Sequence, residues 1–199
     1  MWHKIGTVSM ALGTVLVLAA LSLFLWNRWE DARAGVVIEE IQPAVEEYIE
    51  TADGEENAGE TSGSDSLEMA VAKIDGYEYI GYISIPALGL DLPVMSTWSY
   101  EQLKIAPCRY YGSTKTGNLV IAAHNYSRHF GNIKDLSQGD AVSFTDMEGT
   151  VTRYEVEEID TLSPTAVEEM TASGYALTLF TCTYGGQSRV TVRCSRVPE

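Results

Sequence analysis

Residues 176–193 read ALTLFTCTYGGQSRVTVR. Residues 176–181 and 189–193 have the apolar and β-branched content of strands, and they flank Tyr184-Gly185-Gly186-Gln187, a turn by composition. Cys182 then stands at the end of one strand and Arg189 at the start of the next. Working outward, residues 118–123 (NLVIAA) form a continuous apolar run of strand length, which predicts a central strand ending at His124. Residues 79–85 (YIGYISI), 90–94, 141–145 and 151–159 add further strands, the last two around the turn Asp146-Met147-Glu148-Gly149. Short helices are expected at 99–104, capped by Ser99, at 130–136, and at 165–171 behind Pro164. About eight short strands in residues 77–199 predict a mostly β fold with a closed barrel, because closure removes exposed edges.

The N-terminus has a different character. Residues 7–26 read TVSMALGTVLVLAALSLFLW, twenty residues without a charge, long enough for a helix to cross a bilayer. Trp2 precedes the run, and Trp26 and Trp29 follow it, where interfacial aromatics belong. A cleaved signal peptide ending at Ala32-Arg33-Ala34 is the alternative, but the apolar core exceeds the 7–15 residues typical of one. The expected organisation is a short N-terminus over 1–6, a transmembrane anchor over 7–26, an acidic linker over 27–76 and a catalytic domain over 77–199. Lys4 lies on one side of the span, and Arg28 and Arg33 on the other, so charge alone does not orient it.

The chain of 199 residues carries a net charge of −15. Eleven carboxylates lie between Glu39 and Glu68 with no Lys or Arg among them. A run of like charge predicts a solvated, self-repelling spacer. The overall acidity argues against a nucleic-acid binder, which needs a basic face. Three Cys are too few for a disulfide scaffold.

Cys182 and His124 each end an apolar strand, a rigid place from which to present a reactive group. A thiolate nucleophile needs a partner for its proton, and neutral His is the usual one. The fixed guanidinium of Arg189 suits an oxyanion or a peptide carbonyl. Their neighbours Thr181, Asn125 and Tyr184 are candidates for contact with substrate. Zinc held by His124, His129, Cys182 and Cys108 is the rival. The His-x4-His spacing fits neither a strand nor a helix, and no Cys-x-x-Cys supports it, so no metal is expected. Cys108 and Cys194 are either a disulfide or two buried thiols.

Thr178-Leu179-Phe180-Thr181-Cys182 resembles the Thr-Leu-x-Thr-Cys signature of the sortases. Asn118-Leu119-Val120-Ile121-Ala122-Ala123-His124-Asn125 resembles the strand leading to that family's His. Arg189 opens the final strand where the family has its Arg, and Ile80-Gly81-Tyr82-Ile83-Ser84-Ile85-Pro86 is typical of its opening. The likeness covers residues 77–197. His124-Asn125-Tyr126 and His129-Phe130-Gly131 are similar to the class B pattern, and the linker contains no Asp-Pro-aromatic lid motif. The resemblance implies an eight-stranded sortase-type β-barrel with short helices behind an N-terminal transmembrane helix. It implies a cysteine transpeptidase at the cell membrane of a Gram-positive cell, N-terminus inside and catalytic domain outside. Cys182 would form a thioacyl intermediate at a Leu-Pro-x-Thr-Gly-like sorting signal, His124 would move protons, and Arg189 would hold the oxyanion. The partners implied are surface proteins bearing that signal and an amine from a cell-wall precursor or a pilin. Some sortases bind calcium through loop acids, for which Glu168 and Glu169 would be the weak candidates here; otherwise no cofactor is expected. A hydrolytic cysteine peptidase and a non-catalytic binding barrel are the alternatives.

Overall fold

The computed structural model describes residues 2–52 and 67–198. The chain divides into two units, Met1–Arg33 and Ala34–Glu199. The first unit is the opening part of helix α1 (Trp2–Ala52). Its large apolar side chains, Met10, Val17, Leu23 and Phe24 among them, are exposed. The helix contains a stretch long and apolar enough to cross a membrane, with a mean hydropathy of 2.1. Trp26 and Trp29 sit together at its polar end, ring centroids 5.8 Å apart.

The second unit begins with the rest of α1. Ala34, Ile38, Ile41, Val45 and Ile49 recur every three or four residues and are buried, a single apolar stripe along one helix face. Ile41, Val45 and Ile49 pack on Tyr79, Met95, Cys108 and Met147. Each buried Ile or Val contributes about 1.5–3 kcal/mol. Glu39, Glu40, Glu47 and Glu50 occupy the exposed face. Residues 34–52 therefore differ from the solvated spacer expected of the acidic run. The carboxylates line only the side in water, and their density obscures the apolar period between them. The part of that run over 53–66 lies outside the described residues.

The remaining elements in order are β1 (Ala72–Ile74), β2 (Tyr77–Ile85), β3 (Leu90–Met95), β4 (Cys108–Tyr111), β5 (Leu119–Ala123), β6 (Ala141–Asp146), β7 (Val151–Leu162), α2 (Val167–Thr171), β8 (Leu177–Cys182) and β9 (Arg189–Arg196). Their spatial order is β1-β2-β3-β4-β5-β8-β9-β7-β6, and β2 also pairs with β6. That last pairing closes eight strands into a barrel, with β1 added outside the circuit. The strands alternate as a half-buried sheet requires. Leu119, Ile121, Leu177, Leu179 and Val192 fill the interior. Val120, Ala122 and Phe180 point the other way and form an outer cluster with Met170. β1 and β4 escape a reading of the sequence because they are short. β4 also carries a register shift between Arg109 and Tyr111.

Gly81 makes the closure possible. It sits at a register shift in β2, between β3 and β6, with φ +138°. A Cβ there would lie 2.0 Å from the Thr145 carbonyl oxygen. Only glycine fits both the backbone and the space.

Asp146 ends β6 beside this junction and is buried. Its Oδ1 accepts from the Glu148 N–H (3.0 Å) and the Thr150 N–H (2.9 Å). Burial raises its pKa, outweighing the stabilising backbone N–H groups of Thr150 and Glu148. A raised folded pKa means that the folded state holds the proton more tightly. Stability is then lost as pH rises from the ordinary aspartate value of about 3.9 through the folded value. Asp146→Asn keeps an acceptor for both N–H groups and removes the titration. Chemical denaturation across that range is expected to show a flatter pH dependence for the variant, with no loss of stability at pH 7.

Candidate active site

Cys182 is the last residue of β8 and pairs with Arg189, the first of β9. Directly opposed residues of an antiparallel pair share a face. On the other side β8 runs parallel to β5, with Ala123 level with Thr181. His124 follows Ala123 and so stands level with Cys182. Three adjacent strand ends thus present His124, Cys182 and Arg189 side by side, and all three line one cleft of about 110 Å3. Each is half-buried.

The turn between β8 and β9 is held shut by local bonds. The Thr183 N–H donates to the Ser188 carbonyl (2.9 Å), and the Ser188 hydroxyl to Thr183 Oγ1 (3.0 Å). Gly185 and Gly186, at φ +80° and +70°, supply the reversal. This pins Arg189 beside Cys182. The loop after His124 is equally tight. The Phe130 N–H donates to the His124 carbonyl (3.2 Å), and the Tyr126 ring lies 4.9 Å from the His124 ring.

Apolar groups make up the rest of the cleft. Ala122 and Phe180 line it, with Leu103, Pro164 and Met170 around them. Tyr110 meets Phe180 edge-on at 5.2 Å, and the Trp98 ring lies 5.4 Å from that of Tyr110, tilted by 38°. The sequence reading missed this aromatic wall. The strand alternation that puts Phe180 on the face of Cys182 was a usable signal, whereas Trp98 and Tyr110 arrive from distant segments.

The other expected site residues fall differently. Thr181 was expected to contact substrate, but it is 3% exposed, because one step along a strand turns a side chain to the opposite face. Its hydroxyl donates to the Ala123 carbonyl at 2.9 Å and ties the strand of Cys182 to the strand of His124. The hydroxyl holds the two strand ends in register rather than facing the cleft. Thr181→Val is expected to cost about 1 kcal/mol of stability. It should lower kcat more than it raises KM, with Thr181→Ser restoring both, as steady-state assays and thermal melts would show. Asn125 is exposed and is not among the residues lining the cleft. Tyr184 opens the β8–β9 turn, and its side chain lies outside the described residues.

Cys108 and Cys194 are free thiols in separate clusters, Cys108 beneath α1 and Cys194 inside the barrel. The buried-thiol alternative therefore holds over the disulfide. Burial pushes both thiols up to about 12, far from the reactive range. His129 is buried, away from the cleft lining. Among the described residues no three His, Cys, Asp or Glu gather as metal ligands.

Comparison with known proteins bears on the barrel that carries this cleft. A curated relative, Sortase A of Bacillus anthracis, is 30% identical over 132 residues, 63% of this chain and 62% of that protein. The chain thus spans less than two thirds of that relative's length. The structure of sortase C1 from Streptococcus suis matches with a TM-score of 0.54 at 27% identity, covering 61% of this chain and 74% of that one. Sortase C of Streptococcus pneumoniae matches with a TM-score of 0.56 over 82% of this chain and 97% of that one. At 22% identity this second match speaks for the fold alone. The family model described as the sortase domain matches residues 83–197, more than half of the chain. With its eight-stranded barrel and that match, the chain belongs to the sortase family.

Proposed function

We propose that this protein is a membrane-anchored cysteine transpeptidase that joins surface proteins to an amine acceptor. The observation that carries the proposal is the convergence of Cys182, His124 and Arg189 at three neighbouring strand ends, in one cleft. Cys182 Sγ attacks the carbonyl carbon before the scissile bond of a Leu-Pro-x-Thr-Gly-like signal. Arg189 donates hydrogen bonds to the oxyanion of the tetrahedral intermediate. The C–N bond breaks, the proton of the thiol passes through His124 to the leaving amine, and a thioacyl enzyme remains. An incoming amine from a cell-wall precursor or pilin then attacks the thioester, the C–S bond breaks, and His124 passes the amine's proton to the departing sulfur, releasing the thiol. The reaction needs no cofactor, and calcium would have at most a structural role through acids such as Glu168 and Glu169. Apolar walls made by Phe180, Tyr110 and Trp98 favour an amine over bulk water as the resolving nucleophile. The exposed apolar part of α1 supports a single-pass anchor; the N-terminus in the cytoplasm and the barrel outside is the orientation that the resemblance to sortases implies.

The test uses the full chain in detergent micelles with a pool of Leu-Pro-x-Thr-Gly-like and Asn-Pro-x-Thr-like peptides and a glycine or lysine amine. Mass spectra are expected to show an adduct on Cys182 and an amine-exchanged peptide. Cleavage with no shift toward exchange as amine is added would replace transfer by hydrolysis. A folded protein that binds peptide without adduct or cleavage would leave the non-catalytic barrel.

A further inference from the structure

β3 and β4 run parallel. The two strands share the register pair Met95 and Cys108, and beside it opens a cavity of about 570 Å3. Trp98 and Tyr110 line both this cavity and the cleft of Cys182, so a single aromatic wall separates the two. Its other walls carry Ser113, Thr116 and Asn118, and one cation, Arg109.

Arg109 is held in an uncommon way. Its side chain is only 20% exposed, and its Nε donates to the Ser96 carbonyl at 2.8 Å. That bond fixes the plane of the guanidinium. Its Nη1 lies 3.5 Å from Glu68 Oε2, while the Glu68 side chain is 80% exposed. Only the carboxylate end of the pair stands in water, where solvent and salt screen its hold on Arg109. A planar fork of donors matches a carboxylate. The arrangement is a carboxylate receptor with an internal carboxylate resting on it.

We infer that this cavity is a second subsite, in which Arg109 receives the carboxylate of a peptide substrate in exchange for Glu68. The inference rests on the transpeptidase reading above. Arg109 lies on β4, beside the strand that leads to His124, at a register shift that ends at Tyr111. Trp98 and Tyr110, which line both the cavity and the cleft, join the two, so a peptide bound at Cys182 reaches the cavity over that aromatic wall.

The carboxylate has two possible sources, the donor peptide and the acceptor, and the experiment separates them. Full-length protein in micelles is given donor peptides carrying Asp, Ala or Lys in the two residues flanking the motif on either side. A parallel series uses short peptide amines ending in carboxylate or carboxamide as acceptors. An acidic probe is expected to gain about 10-fold in kcat/KM, mostly through KM, in one of the two series. Arg109→Gln should erase the gain, and Glu68→Gln should enlarge it. Calorimetric binding of the same peptides to Cys182→Ala protein reads the preference without turnover. Equal binding of acidic, neutral and basic probes would overturn the inference. So would an Arg109→Gln loss that is uniform across probes and accompanied by a lower melting temperature, the mark of a mere tether for residues 67–71. Charge-selective binding without any transfer would uphold the subsite and count against the transpeptidase reading.

Discussion

Cys182→Ala is expected to abolish the peptide adduct and the amine-exchanged product, a loss on the order of 10^4-fold or more, while leaving the melting temperature close to that of the parent. Removing a nucleophile eliminates the covalent route, and the residual rate comes from binding and oxyanion stabilisation alone. The fold should tolerate the change because Cys182 is half-buried at a strand end and its sulfur fills no part of the barrel interior. Arg189→Ala and His124→Ala divide the remaining chemistry. The first weakens the step that forms the tetrahedral intermediate, so the adduct should accumulate more slowly. The second withholds the proton from the leaving amine and leaves the incoming amine charged, so adduct formation and exchange should both fall. Single-turnover mass spectrometry reads the two steps separately. An alanine variant at Cys182 that still exchanged amines would remove this residue from the chemistry.

Gly81→Ala is expected to be the most damaging single methyl group in the barrel. The new Cβ would meet the Thr145 carbonyl oxygen at 2.0 Å and the Asp146 Cα at 2.9 Å, both backbone atoms that side-chain motion cannot clear. The φ of +138° adds strain of its own. Strain of this kind costs about 1–3 kcal/mol before the clash is counted. Gly81 pairs with Asp146 in the β2–β6 ladder, so relief would come by parting the two strands that close the barrel. The expected result is a loss above about 3 kcal/mol in denaturant titrations, a large share of a typical domain's stability. Gly76→Ala is the control. Gly76 also has a positive φ, +85°, but a Cβ there meets nothing within 4 Å. Its loss should stay near the torsional cost alone. Equal losses at the two positions would show that the contact with β6 is not what fixes Gly81.

Much of the site was readable in the chain because its parts are local. Strand alternation puts Cys182 at the end of β8, the short Gly-Gly turn returns Arg189 beside it, and an apolar run delivers His124. The resemblance to sortases rests on those same segments. What escaped is non-local or masked by a stronger signal. Trp98 and Tyr110 reach Phe180 only after the barrel has closed, and no pattern around them announces it. Thr181 was read by its nearness in sequence to Cys182, whereas strand parity sends it inward to the Ala123 carbonyl. Along α1 the stripe of Ala34, Ile38, Ile41, Val45 and Ile49 is a clear helical period, but the acids between its members dominate the composition.

That stripe also bears on how the barrel can be handled in isolation. A shortened protein starting near β1 would keep every strand of the barrel and every residue of the cleft. It would also strip the cover from Tyr79, Met95, Cys108 and Met147, a contiguous greasy patch on the outside of the sheet. Such a fragment is expected to precipitate or associate on expression. One beginning just before Ala34 should remain dispersed, since it loses the apolar span and the short charged turn after it but keeps the whole stripe. The practical boundary of the folded domain therefore falls in the middle of a continuous helix.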